Sequence, residues 1–154
     1  MSTYNAQNIG ARQLDRVRKG FRSADVIGCI YAVAVGFILF FAGKYFAYLF
    51  ISDNAETVIP MVDIYLQCVG MFMIPLYVVN CYRNGFQGMG YGLLPMLSGV
   101  AELIGRGVMA VVAAHEKSYR MACMASPFAW IVATALLFVL YFYVMKDMKK
   151  KLCL

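Results

Sequence analysis

The sequence predicts an all-α protein, a polytopic membrane helical bundle of four transmembrane helices. Three observations predict it. The composition is 62% hydrophobic and 14% charged, with a mean hydropathy of +0.68, where soluble domains run at roughly 45–50% apolar and about 25% charged. Four apolar segments are each long enough to cross a bilayer. The basic residues gather at the ends of those segments, mostly on one side. Disorder is excluded, because aromatic and branched residues are abundant.

Residues 1–25 form a polar, basic lead-in without an apolar run, so nothing there predicts a cleaved signal. Within it, Ala11 to Arg22 reads as a short interfacial helix or basic loop, with Arg12 and Arg16 on one face and Leu14, Val17 and Phe21 available to touch the membrane. The first span is read at about 26–50. Lys44 interrupts it and is expected to snorkel at the far interface, beside Tyr45 and Tyr48 in the headgroup layer. About 20 apolar residues are needed to cross ~30 Å of hydrocarbon.

Asp53 with Glu56 three residues on resembles a capping box, and Pro60 lies early in the helix that follows. The second span is read at about 58–82. Pro75 inside it predicts a kink near Ile74, since proline removes a backbone donor and crowds the preceding turn. Residues 83–92 (RNGFQGMGYG) carry four glycines and read as a tight turn. The third span is about 93–114, His115 to Arg120 is a polar loop, and the fourth span is about 121–145. Residues 146–154 form a basic tail. Helices this apolar all round must be covered on every side, which a soluble core of four such helices rarely manages.

Ten of the 14 basic residues fall on one side: Arg12, Arg16, Arg18, Lys19 and Arg22, then Arg83, then Lys146, Lys149, Lys150 and Lys151. Only Lys44, Lys117 and Arg120 fall on the other, and Arg106 lies within a span. The positive-inside bias therefore places both termini and the glycine-rich turn in the cytoplasm, which requires an even number of crossings. With the net charge of +6 used this way, nucleic acid is not an expected partner; the lipid bilayer is.

Ionisable groups within a span are costly and are functional candidates by default. Glu102 and Arg106 stand at i, i+4 with the acid first, the favourable order. Two readings stay open: a structural pair holding the helix to its neighbours, or a carboxylate exchanging protons or cations during transport, tuned by Arg106. Asp63, one turn inside the second span, reads as interfacial. Gln67, Tyr77 and Asn80 are candidates to line a cavity, or to hydrogen-bond neighbouring helices. Ala32/Gly36, Ala101/Gly105 and Ala129/Ala133 have small-xxx-small spacing and predict close helix packing.

No enzyme constellation is present: His115 is the single histidine, and GxSxG, HExxH and Walker patterns are lacking. The cysteines Cys29, Cys68, Cys81, Cys123 and Cys153 form no CxxC pair and read as small packing residues, so neither a metal nor another cofactor is expected.

Three stretches carry a resemblance. Ser2 to Ala11 (STYNAQNIGA), followed by DRVRKG at 15–20, NGFQGMGYGLLPML at 84–97 and GVAELIGR at 99–106 occur in the order and spacing of the multidrug and toxic compound extrusion (MATE) transporters, bacterial branch. The resemblance covers nearly the whole chain and is most similar to the last four helices of the second six-helix lobe. It implies a MATE-like C-terminal lobe fragment of a secondary antiporter that exports organic cations and drugs from the plasma membrane in exchange for Na+ or H+. The implied partners are organic cation substrates and the helices of the first lobe and early second lobe, without which the chain is expected to be incomplete. Met1 fits the family pattern as an internal residue. Some members place a cation-site aspartate in the tenth helix, where Leu76 aligns here. Two other readings are a four-helix membrane protein with a structural or assembly role, and a small exporter working as a dimer. The dimeric type usually carries an acid in its first helix, and none lies between Val26 and Ala42.

Overall fold

The computed structural model describes residues 1–51 and 55–152, which are helical with short connections and contain no strand. The elements are α1 (Ser2–Gly10), α2 (Leu14–Phe50), α3 (Ala55–Met71), α4 (Met73–Gly88), α5 (Leu93–Glu116), α6 (Tyr119–Cys123) and α7 (Ala125–Lys151). Three spans are long and apolar enough to cross a membrane: α2, α5, and α6 with α7. α3 and α4 meet the same test only when taken together as one span, bent by 56° at their junction. The fold is thus an all-α membrane bundle.

Of the two readings of the lead-in, helix or basic loop, the structure shows helix, continuous with the first span. After α1, a short turn with Arg12 at φ 55° leads directly into α2. Leu14, Val17 and Phe21 share one face of α2 and are buried against the bundle rather than turned to lipid. The sequence shows their spacing but not that a core awaits them. At 37 residues α2 extends ~55 Å, so its basic first turns and its apolar span form one rod. Lys44 leaves that rod unbroken and sits over the Tyr45 ring, 5.2 Å from its centroid.

The kink falls at Phe72, earlier than Ile74. Pro75 offers no N–H to the Met71 carbonyl, α3 ends there with a tight Phe72 N–H to Val69 carbonyl bond, and α4 restarts at Met73 with Pro75 in its first turn. The predicted turn at 83–92 shrinks to Met89–Gly92, where Gly90 takes φ +87°. Gly85 and Gly88 belong to α4; the bare backbone of Gly85 admits the Phe21 ring of α2 and that of Gly88 admits α1, where a Cβ would lie 2.1 Å from the Ser2 carbonyl oxygen. The predicted polar loop at 115–120 likewise shrinks, to Lys117 and Ser118. Lys117 ends α5 in the left-handed region, and the Ser118 hydroxyl accepts from the Met121 N–H. The Asp53 half of the predicted capping box lies outside the described residues.

The small-residue pairs sit at crossings. Gly36 meets Gly70 backbone to backbone, a Cβ on Gly36 falling 2.6 Å from the Gly70 carbonyl oxygen. Gly105 packs on the Ala129 backbone, and Ala129 and Ala133 are fully buried. The core gathers at one end, where α1, the first turns of α2 and the later halves of α4 and α7 meet around Tyr82. Its ring stands 5.0–5.5 Å from Phe21, Phe138 and Tyr141. The same end holds the 89–92 turn, where the Tyr91 hydroxyl donates to Asp147 on α7. At the opposite end the Tyr119 hydroxyl donates to the Met61 carbonyl. Both described chain ends and the glycine turn therefore share a side. Large apolar side chains of α2, α5 and α7 face outward over most of their length.

Candidate functional site

The charged centre of the bundle lies in the seam between α4 and α5. Ser98, Glu102 and Arg106 recur at four-residue intervals and line one face of α5. Arg83 reaches them from α4. Its Nε donates to Ser98 Oγ at 2.6 Å, and its Nη2 lies 2.9 Å from Glu102 Oε1. Arg106 Nη2 lies 3.3 Å from Glu102 Oε2. The Ser98 hydroxyl in turn donates to the Pro95 carbonyl. Glu102 is 9% exposed, so its carboxylate is shielded and each of its oxygens faces one guanidinium.

The predicted pair is therefore a triad. Its shortest contact is the cross-helix one, and Arg83 is the more shielded arginine, while the Arg106 side chain remains half exposed. A carboxylate between two guanidiniums is well compensated, and arginine does not give up its proton to relieve the charge. The arrangement pins α4 to α5 and leaves one excess positive charge in the seam. Sequence reading assigns Arg83 to the cytoplasmic turn and misses this role. A signal was present: Arg83 and Ser98 stand equally far from the midpoint of the turn, hence opposite one another in an antiparallel hairpin.

The three cavity candidates do not converge. Gln67 on α3 donates to Asp63 Oδ2 one turn earlier, at 2.9 Å. Tyr77 on α4 faces α2, where its hydroxyl donates to the Ala24 carbonyl at 2.5 Å and its ring lies on Gly28. Asn80 faces out of the bundle and donates to the Leu76 carbonyl of its own helix. Leu76 puts no charge on α4 at its position. A second carboxylate, the half-buried Asp25 on α2, accepts from Tyr82 at 3.0 Å. It stands one residue before the apolar run in which the sequence shows no acid. Among the described residues, no three His, Cys, Asp or Glu side chains stand close enough together to hold a metal ion.

The MatE family model matches residues 1–112, from α1 through most of α5. Comparison with curated proteins and with solved structures gives no match.

Proposed function

Because this chain belongs to the MatE family, whose members are transporters, we propose that it serves a secondary antiporter exporting organic cations in exchange for Na+ or H+. The family match across α1–α5 is the observation that carries this reading. The bundle supports it: three long apolar helices and the bent α3–α4 pair, taken as a fourth crossing, with both described ends on one side, suit one part of a two-bundle transporter. Alternating access needs a second bundle to move against the first. The outward apolar faces of α2 and α5 are the surfaces on which further helices or lipid would lie. We place the protein in the plasma membrane with the basic end in the cytoplasm, following the charge bias.

Of the two readings of Glu102 and Arg106, the bracing one is favoured, because Arg83 joins the pair from another helix. In this reading the triad holds α4 and α5 as one rigid unit while the bundle moves. The test is efflux in inside-out vesicles from cells expressing this chain together with the helices of the second bundle. An imposed Na+ or H+ gradient should drive accumulation of a fluorescent organic cation, and added substrate should in turn dissipate that gradient. Uptake indifferent to both gradients would defeat the antiport reading. Gradient-driven uptake that survives in the Glu102→Gln protein at a reduced rate fits bracing; complete loss of coupling with a normal thermal stability would return Glu102 to the exchange role.

A further inference from the structure

We propose that Asp25 is an exchange site for a monovalent cation, a proton or a sodium ion, built between α2, α4 and α7. The proposal rests on the antiport reading above for its role, but the site itself is argued from geometry.

Asp25 stands where the basic turns of α2 give way to the apolar run beginning at Val26. Its Oδ2 accepts from the Tyr82 hydroxyl at 3.0 Å. Its Oδ1 is shielded from solvent and has no hydrogen-bond donor among the described residues. No arginine or lysine of the described residues lies within 4.0 Å of it. Around it stand Tyr82, whose hydroxyl bonds it, Tyr77, which bonds the neighbouring Ala24 carbonyl, and Tyr141 of α7, whose ring packs on Tyr82; Cys81 lies beside Tyr82 on α4, Cys29 one turn on along α2, and Arg18 on the Tyr141 side. Arg22, one turn earlier, is exposed and forms no ion pair with it. This is the opposite of Glu102, which two guanidiniums neutralise.

A carboxylate with a shielded oxygen calls for a positive partner, and none of the described residues pairs with this one at ion-pair distance. A small cation on Oδ1 supplies it. With a proton bound, the buried charge disappears and Oδ2 keeps its bond from Tyr82. With sodium bound, the carboxylate and the Tyr82 hydroxyl oxygen are hard donors of the kind that ion takes. Tyr82 also makes the site sensitive to packing. Its ring is wedged among Phe21, Phe86, Phe138 and Tyr141, so any shift of α4 against α7 moves the hydroxyl that holds Asp25. Tyr82 is thus a positioning residue, and occupancy of Asp25 is coupled to the packing of the core.

The experiment is carbodiimide labelling of the full chain in liposomes, located by peptide mass spectrometry, because dicyclohexylcarbodiimide reacts with protonated carboxyls in apolar surroundings. Asp25 is expected to label. Labelling that falls as pH rises, unmoved by sodium, identifies the proton; labelling that sodium suppresses at fixed pH identifies sodium. Tyr82→Phe removes a bond to the charged form and should move the midpoint of the pH titration upward, by up to about tenfold in proton affinity. Asp25→Asn should lose the label at that peptide alone. Labelling at Glu102 with none at Asp25, or Asp25 labelling insensitive to both pH and sodium, would overturn the proposal. Gradient-driven efflux persisting with that negative result would leave the antiport reading intact. A titrating Asp25 in vesicles that show no gradient-driven efflux would keep the site and remove that reading.

Discussion

Arg83 carries a fixed charge into the seam between α4 and α5, where two groups of α5 receive it. Removing it by Arg83→Met leaves Glu102 with one half-exposed partner, and the cost is about 1–3 kcal/mol, the range for stranding a shielded polar group. Arg106→Gln leaves the shorter contact in place, so its cost falls within about 0–1 kcal/mol, as for exposed pairs. Thermal unfolding in detergent, followed by reactivity of the buried cysteines Cys68, Cys81 and Cys123, should rank the two in that order; equal midpoints would deny the cross-helix brace. A second residue-scale prediction concerns pH. Beyond the apolar part of α7, hydrogen bonds from Lys151 and then from Tyr91 hold the Asp147 carboxyl below the usual carboxylate range. The folded value lies below the unfolded one, so this stabilisation is present above the unfolded value, near pH 3.9, and is lost as pH falls through the folded one. The difference in unfolding midpoint between Asp147→Asn and the unmodified chain should therefore be constant at neutral pH and vanish only on acidification below that range.

At the scale of elements, contacts between small residues decide where helices cross. Gly36 and Gly70 touch through their backbones, and nothing within 4 Å stands over Gly107 on α5. Gly36→Ala should thus force α2 from α3 and destabilise by about 1–3 kcal/mol. Gly107→Ala gains helix propensity, up to about 1 kcal/mol, and should raise the midpoint or leave it unchanged. Midpoints moving together would show that backbone propensity, not the crossing, governs both. Much of this level was legible in the sequence. Length and apolarity alone mark the spans, Pro75 announces a bend, and the small-residue spacings point to crossings. What remained hidden depended on neighbours. Leu14, Val17 and Phe21 look like a membrane-touching face until α4 and α7 are seen to cover them. Gly85 and Gly88 look like a turn until Phe21 of α2 and Ser2 of α1 are seen lying on them. In the site, the Glu102–Arg106 pair was legible from its spacing, whereas Arg83 and Tyr82 act across helix boundaries that no local pattern reveals.

For the whole molecule, the packing is one-sided. The buried cluster lies at the end that carries α1, the 89–92 turn and the basic end of α7, while the far half of α2 exposes Phe37, Phe41, Tyr45, Phe46 and Leu49. The end with the core is also the end with ten of the basic residues, so one orientation places a compact, positively charged end at the cytoplasmic surface. The far end then depends on lipid or on further helices for its cover. Inverting the molecule would send those basic residues across the bilayer against the bias that sets orientation. Single cysteines at the two ends test this directly. The native Cys68, Cys81 and Cys123 are buried, Cys29 is part-buried, and the test is run with Cys29 and Cys153 replaced by serine. Gly90→Cys, in the tight turn, should react with a membrane-impermeant maleimide in inside-out vesicles and not in intact cells. Lys117→Cys, at the end of α5, should show the reverse. Both reacting from one side would contradict the antiparallel α4–α5 hairpin, and both reversed would place the basic end outside and turn the site around Asp25 toward the external medium.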